Sequence, residues 1–176
     1  MKKLIYLFLV LGLFACSNES VDEGENNNND DQNTSGYTWG IIEDDGYVTN
    51  SGNYVLWLNL YSDGIEWDCP DGEGSGSGKI MYFEMFTSNS GIFDEGTYNY
   101  SSSFGEMGTW DLGEYTNNAS AANPDDTNWV ELTSGTVTIA KDGSTYSISW
   151  DCATSSGFGV SGSYTGSLEY CDTSGD

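Results

Sequence analysis

The fold class is indicated most clearly by TVTIAKDGSTYSISWDC, residues 136–152. Val137 and Ile139 alternate with threonines, and Asp142-Gly143 then supplies the residues of a two-residue hairpin turn. After the turn every second side chain is apolar again, and these are Tyr146, Ile148, Trp150 and Cys152. Because successive side chains of a strand point to opposite faces, the stretch predicts an antiparallel hairpin with one buried face.

Short apolar runs separated by turn residues also make up the rest of the chain after residue 36. No segment after residue 36 has a helical period of useful length, and runs rich in Tyr, Val, Ile and Trp are separated by Gly, Asn, Asp and Ser. The runs span 37–43, 53–62, 78–87, 96–103, 108–115, 129–140, 144–152 and 158–170. We therefore predict one all-β domain over residues 37–176, an antiparallel barrel or sandwich of about 8–10 strands.

Glycine-containing segments between these runs predict the connections. DDG at 44–46, DG at 63–64 and KDG at 141–143 predict tight turns. GEGSGSG at 72–78 lies between two apolar runs and predicts a long, flexible hairpin loop. On the final run we expect Val160, Tyr164, Leu168 and Tyr170 to face the core.

The amino terminus has the pattern of an export signal. Met1-Lys2-Lys3 is cationic, and residues 4–15 form an apolar run. A run of about 7–15 apolar residues is typical of a signal peptide, whereas a membrane-spanning helix needs about 20. Residues 1–15 are therefore predicted to be a cleaved leader.

The segment LFAC, Leu13 to Cys16, resembles the lipobox of bacterial lipoproteins. The resemblance implies that the Cys16 thiol receives a diacylglycerol and that membrane lipid holds the protein through this residue. Residues 17–36 contain six acids and many asparagines, so 16–36 is predicted to be a lipidated cysteine with a disordered acidic tether. Such a tether looks like the surface-export signal of Bacteroidota-type lipoproteins, which implies an outer-membrane location facing the cell exterior; a plain solvated spacer is the alternative.

The closing hairpins, TVTIAKDGSTYSISWDC and GVSGSYTGSLEY, are similar to those of small lipoprotein domains with lipocalin-like or sandwich folds. This resemblance supports the fold expectation and implies no particular activity.

Charge excludes one class of partner. The chain has 28 acidic residues, no histidine and four basic residues, and removal of the leader leaves only Lys79 and Lys141. Phosphate binding depends on Lys and Arg, so we expect no nucleic-acid partner.

The residues that catalysis usually needs are scarce. Without histidine the chain cannot form a Ser-His-Asp triad or a zinc site with His ligands. Glu84, inside the apolar run IMYFEMF, is the acid in which burial could raise the pKa, although a strand with one solvent-facing side would expose it. EDDG (43–46), DCPDGE (68–73) and NPDDTN (123–128) carry oxygen ligands suited to calcium, but turns select the same residues for backbone reasons. We expect no cofactor and no bound calcium.

Six tryptophans are many for a domain of this size. An exposed indole can stack on a sugar ring, and Trp110 and Trp129 lie in the least regular, most polar region. They are therefore the candidate ligand-binding residues, with core filling as the competing interpretation. Trp57 and Trp150 are expected in the core.

Three cysteines remain when Cys16 carries lipid, and export permits a disulfide. IEWDC (65–69) and ISWDC (148–152) share one spacing, which places both cysteines on an Ile-Trp face. This favours Cys69–Cys152 over Cys69–Cys171 or no bond.

These observations favour a membrane-anchored envelope protein that acts by binding, with a glycan or another envelope protein as partner, and not an enzyme. A carboxylate-dependent glycoside hydrolase and a structural envelope protein without ligand are the alternatives.

Overall fold

The computed structural model describes residues 32–33, 36–69 and 71–174. The predicted leader, Cys16 and residues 17–31, 34 and 35 of the predicted tether lie outside the described residues. Gln32 and Asn33, also predicted as disordered tether, instead form a short strand paired with Val160 and Ser161. The strands are β1 (Gln32–Asn33), β2 (Trp39–Val48), β3 (Asn53–Tyr61), β4 (Ile65–Asp68), β5 (Glu73–Thr87), β6 (Gly96–Tyr100), β7 (Thr109–Ser120), β8 (Val130–Asp142), β9 (Thr145–Thr154), β10 (Gly159–Gly166) and β11 (Glu169–Asp172). A single 3₁₀ turn, Pro124–Asp126, separates β7 from β8, and the described residues contain no α-helix.

The strands form one curled sheet with the order β1-β10-β9-β8-β6-β7-β5-β3-β2-β11, and β4 pairs only with β5. Most neighbours are antiparallel, but β1 is parallel to β10, β6 to β7 and β11 to β2. The sheet curls into a half-barrel, which confirms the predicted all-β fold of the barrel or sandwich kind. No described helix is long and apolar enough to cross a bilayer.

The inner face of the curled sheet encloses the main core. On β3 the inward side chains are Leu56, Leu58 and Leu60, all fully buried. The 136–152 hairpin buries the face predicted from its sequence, because Val137, Ile139 and the alternating residues of β9 lie in the main core cluster. Asp142 ends β8 at the predicted turn, where Gly143 adopts a positive φ of 61°.

A second, smaller cluster lies on the outer face of the same sheet. It contains Ile41, Tyr61, Ile80 and Cys171, together with Ile65 of the β4–β5 hairpin, which folds over this face. Trp39, Trp67 and Trp129 pack against it, half-buried. Strands β2, β3 and β5 are therefore covered on both faces over part of their length.

The prediction of a flexible loop at 72–78 is wrong. Residues from Glu73 onward belong to β5 and pair with β4 in register, with Ile65 opposite Gly76. The glycines permit close approach of other chain segments, because a Cβ at Gly76 would lie 1.9 Å from the Gly64 carbonyl oxygen and one at Gly74 would lie 2.7 Å from Trp67. Glycine here makes room for a covering tryptophan and a neighbouring backbone, and does not provide flexibility.

The predicted turn at 44–46 is also wrong. Asp44 and Gly46 lie within β2, and the register with β3 shifts between them, which marks a β-bulge. The Asp44 carboxylate accepts a hydrogen bond from the Gly46 amide at 2.9 Å. The chain reverses direction only after Val48.

The disulfide joins Cys69 to Cys171, not Cys69 to Cys152, with the Cα atoms 5.9 Å apart. Cys152 sits in the main core as a buried free thiol; its Sγ donates a hydrogen bond to the Thr136 carbonyl, and burial raises its pKa to about 12. Cys171 is buried because β10 ends at Gly166 and β11 takes its register from β2, so the alternation of the final run does not continue through Cys171. The same break leaves Tyr170 exposed, contrary to prediction, whereas Val160 and Tyr164 are buried as expected.

Candidate binding groove

The outer face of the sheet is organised in cross-strand rows. Asn59 of β3 lies opposite Ile41 of β2 on one side and Tyr82 of β5 on the other. Tyr82 in turn lies opposite Glu114 of β7. One row along, Trp57 lies between Glu43 and Glu84. Directly opposed side chains in a sheet are about 4.5–5.5 Å apart at Cβ, so the rows bring aromatic and polar groups into contact.

These rows form the floor of a groove of about 300 Å³. Five aromatic side chains line it: Trp57, Tyr61, Trp67, Tyr82 and Trp129. The polar groups in the lining are Glu43 and Asn59. We call this set of seven residues the aromatic groove.

Packing fixes the wall formed by the β4 hairpin. Trp67 stacks on Tyr61 with ring centroids 6.3 Å apart, and Tyr61 stacks on Trp39 at 4.4 Å. Cys69 lies two residues after Trp67, and its disulfide with Cys171 links this hairpin to β11. The bond therefore holds the covering tryptophan over the sheet.

The other two tryptophans of the groove are held by their indole nitrogens. Trp57 Nε1 donates to an Asp45 carboxylate oxygen at 2.8 Å, and Trp129 Nε1 donates to the Pro124 carbonyl at 3.3 Å. The Trp129 ring meets the Tyr82 ring edge-to-face at 5.2 Å. Each indole is thus oriented before any ligand binds.

The polar floor of the groove carries unused hydrogen-bonding capacity. Asn59 is 7% exposed, and its Nδ2 makes no hydrogen bond of good geometry. The amide lies near enough to the Glu43 carboxylate to lower the pKa of Glu43, as does the Trp67 indole, although burial and the Asp45 charge raise that pKa by more. A buried amide donor without a full partner costs free energy, which a ligand oxygen would recover.

The structure separates the two predicted ligand-binding tryptophans. Trp129 lines the groove, half-buried, whereas Trp110 is 0% exposed and cannot meet a ligand. Trp110 packs in the main core, edge-to-face on Phe83 at 5.3 Å and on Tyr100 at 4.9 Å. The polar neighbours that suggested exposure belong to the other face of β7, where the register with β5 shifts around Asp111.

The prediction for Trp57 is wrong in the opposite sense, since Trp57 faces the groove, whereas Trp150 lies in the core as expected. The signal that could have placed Trp57 is its own strand: in NYVLWLNLY it alternates with leucines and shares its face with Asn59 and Tyr61.

Glu84 lies on the outer face beside the groove, half-buried, in contact with Asp111. Burial, followed by the Asp111 charge, raises the pKa of Glu84 to about 7. The pKa of Asp111 is also raised by burial. The two carboxyl groups share one hydrogen bond, so the pair holds a proton at pH values where isolated carboxylates are ionised.

The described parts of EDDG, DCPDGE and NPDDTN do not converge on a cation site. Within residues 36–69 and 71–174, no three or more His, Cys, Asp or Glu side chains are grouped as metal ligands. The expectation of no cofactor and no bound calcium stays a prediction.

No protein-family model, curated protein or solved structure matches this chain.

The raised pKa of Glu84 predicts the pH dependence of stability. The folded protein holds this proton more tightly than the unfolded chain, so the stabilisation is present below pH 4.5 and is lost as pH rises through about 7. Glu84→Gln should therefore raise the melting temperature at pH 8 by about 2–4 °C, after allowance for solvent screening, and by less at pH 4.5. Circular dichroism melts at the two pH values measure the difference.

Glu73→Gln is the matched control, because Glu73 is exposed on the same strand. A gain for Glu84→Gln that is equal at both pH values, or equal to that of the control, contradicts the shared proton.

Proposed function

We propose that this chain is a lipid-anchored envelope protein that binds glycans in the aromatic groove. The observation that carries the proposal is the groove itself: five oriented aromatic rings surround the Asn59 amide, which is buried and lacks a full hydrogen-bond partner.

The composition of the groove suits sugar chemistry. A pyranose has an apolar face of C–H groups that packs on flat aromatic rings, and its edge carries hydroxyls that need polar partners. Ligand sites are mostly apolar with a few placed polar groups, and here the Asn59 amide can donate while the Glu43 carboxyl can accept. Because the indoles are already hydrogen-bonded in place, little ordering entropy is lost on binding.

The geometry favours binding over hydrolysis. Glycosidases that work with paired carboxyl groups separate them by at least about 5 Å, so that a sugar or a water fits between. Glu84 and Asp111, the pair with raised pKa values, are instead in hydrogen-bonding contact with each other. This contact supports a proton-sharing structural role for the pair and not the separated acid and base of a hydrolase.

The location follows from the lipobox resemblance at Leu13 to Cys16. One acyl chain gives only marginal membrane binding, whereas two or more chains on a single residue give a stable anchor. The acidic segment between Cys16 and β1 would then link the anchor to the domain and separate the domain from the headgroups. An anchored glycan receptor needs no membrane-facing apolar surface of its own.

The groove predicts that loss of one of its aromatic side chains weakens glycan binding. A mature chain with Cys16→Ser, made without leader and lipid, should bind neutral glycans on an array, and Trp129→Ala should weaken binding by about tenfold or more. A central aromatic contact commonly contributes at least that much. Titration calorimetry on the strongest array ligand measures the change.

Phe104→Ala is the matched control, because Phe104 is an exposed aromatic (62%) that does not line the groove. Equal losses for both variants, or an array without any bound glycan, would contradict the proposal. An empty array with an intact melting transition favours the structural envelope protein.

The anchor is tested separately from the ligand. Mass spectrometry of the protein made in a bacterial lipoprotein-processing host should find Cys16 as the amino-terminal residue, carrying fatty acid. A chain that keeps residues 1–15, or an unmodified Cys16, refutes the anchor and leaves the groove proposal standing.

A further inference from the structure

Trp129 is shared by two depressions of the surface. On one side it lines the aromatic groove, and on the other it lines a second depression of about 430 Å³. The second depression has polar walls from Thr154, Ser155 and Ser156 and apolar contributions from Val130 and Phe158. Both volumes are near the lower end of the range of about 300–1,000 Å³ that ligand pockets span.

Phe158 is an apolar side chain held out into solvent by a built turn. It is 55% exposed, and it ends the turn between β9 and β10. The Thr154 amide donates to the Phe158 carbonyl at 3.0 Å, and the Phe158 amide donates to the Thr154 hydroxyl oxygen at 3.3 Å. Gly157 completes the turn with a positive φ of 84°. The phenyl ring is therefore presented by a fixed backbone.

The charge around both depressions selects the class of ligand. No Lys or Arg lines either one, while Glu43 lies in the first and Glu131 in the second. Glu114 accepts a hydrogen bond from the Tyr82 hydroxyl between them and is paired across strands with Glu131. Uronic acids and sulfated sugars would meet like charge without a counter-ion, which costs affinity and slows association.

We propose that the ligand is an uncharged oligosaccharide that crosses Trp129, with one sugar in the aromatic groove and later sugars against Phe158. This inference rests on the proposed glycan function and deepens it. The floor amide of Asn59 anchors the first sugar, Trp129 contacts the chain where it passes between the depressions, and the hydroxyls of Thr154, Ser155 and Ser156 face the sugars beyond. A monosaccharide uses only the first depression.

The test compares ligand length with the residue beyond Trp129. Calorimetry on the mature chain carrying Cys16→Ser uses neutral gluco-, manno- and xylo-oligosaccharides of one, two, four and six residues. In at least one series we expect the affinity to rise about tenfold between the shortest ligand that binds and the tetramer, as expected for one added aromatic contact. Phe158→Ala should remove that gain and leave the affinity for the shortest binder unchanged.

Two controls fix the interpretation. Phe104→Ala, at an equally exposed phenylalanine outside both depressions, should retain the length dependence. Oligogalacturonates of the same lengths should bind at least tenfold more weakly than the neutral series, because of like-charge repulsion.

Failure of this inference can be distinguished from failure of the proposed glycan function. Affinity that is independent of length, a Phe158→Ala loss of equal size at every length, or tight binding of the galacturonates overturns this inference while the groove remains a glycan site. Absence of binding to every neutral series overturns this inference, and it overturns the proposed function as well when neither the galacturonates nor any glycan on the array binds.

Discussion

The structure depends on the burial of both faces of β3. Its inward leucines, Leu56, Leu58 and Leu60, fill the half-barrel. On its outward face Asn59 and Tyr61 are also buried, and Trp57 is half-buried. The β4 hairpin folds back over the Tyr61 end of this outer face, where Trp67 stacks on Tyr61. The Cys69–Cys171 disulfide closes that cover across a sequence separation of 102 residues. A cross-link over so long a loop removes much of the conformational entropy of the unfolded chain.

The cover is incomplete, and the groove is the part left open. Trp67 and Trp129 flank the floor without closing over it, and the Asn59 amide nitrogen at that floor is buried without a hydrogen-bond partner. The net charge of the chain, −24, makes the same surface unsuited to anions. An apolar, aromatic, locally acidic groove is therefore matched to uncharged polyols with apolar faces, which is the chemistry of neutral sugars.

The strands could be predicted from the sequence because period-two alternation reports the face that each side chain takes. The hairpin 136–152 and the eight apolar runs became strands for that reason. The outer layer could not be predicted in the same way. The GEGSGSG segment pairs with β4 in an arrangement that leaves room for the Trp67 ring beside Gly74. Cys171 reaches Cys69 because β11 pairs with the edge of β2. The polar neighbours of Trp110 and the leucines around Trp57 misplace both residues, because the face that a strand residue takes depends on alternation and register and not on the polarity of its neighbours.

The claim that an aromatic layer lies outside the core and is partly open to solvent can be tested by hydroxyl-radical footprinting with mass spectrometry on the ligand-free protein. Oxidation rates depend on solvent access, so Trp57, Trp67 and Trp129 should react readily, while Trp110 and Trp150, at 0% and 2% exposure, should be protected. Reaction at Trp110 as fast as at Trp129, or protection of all three groove tryptophans, would contradict the account.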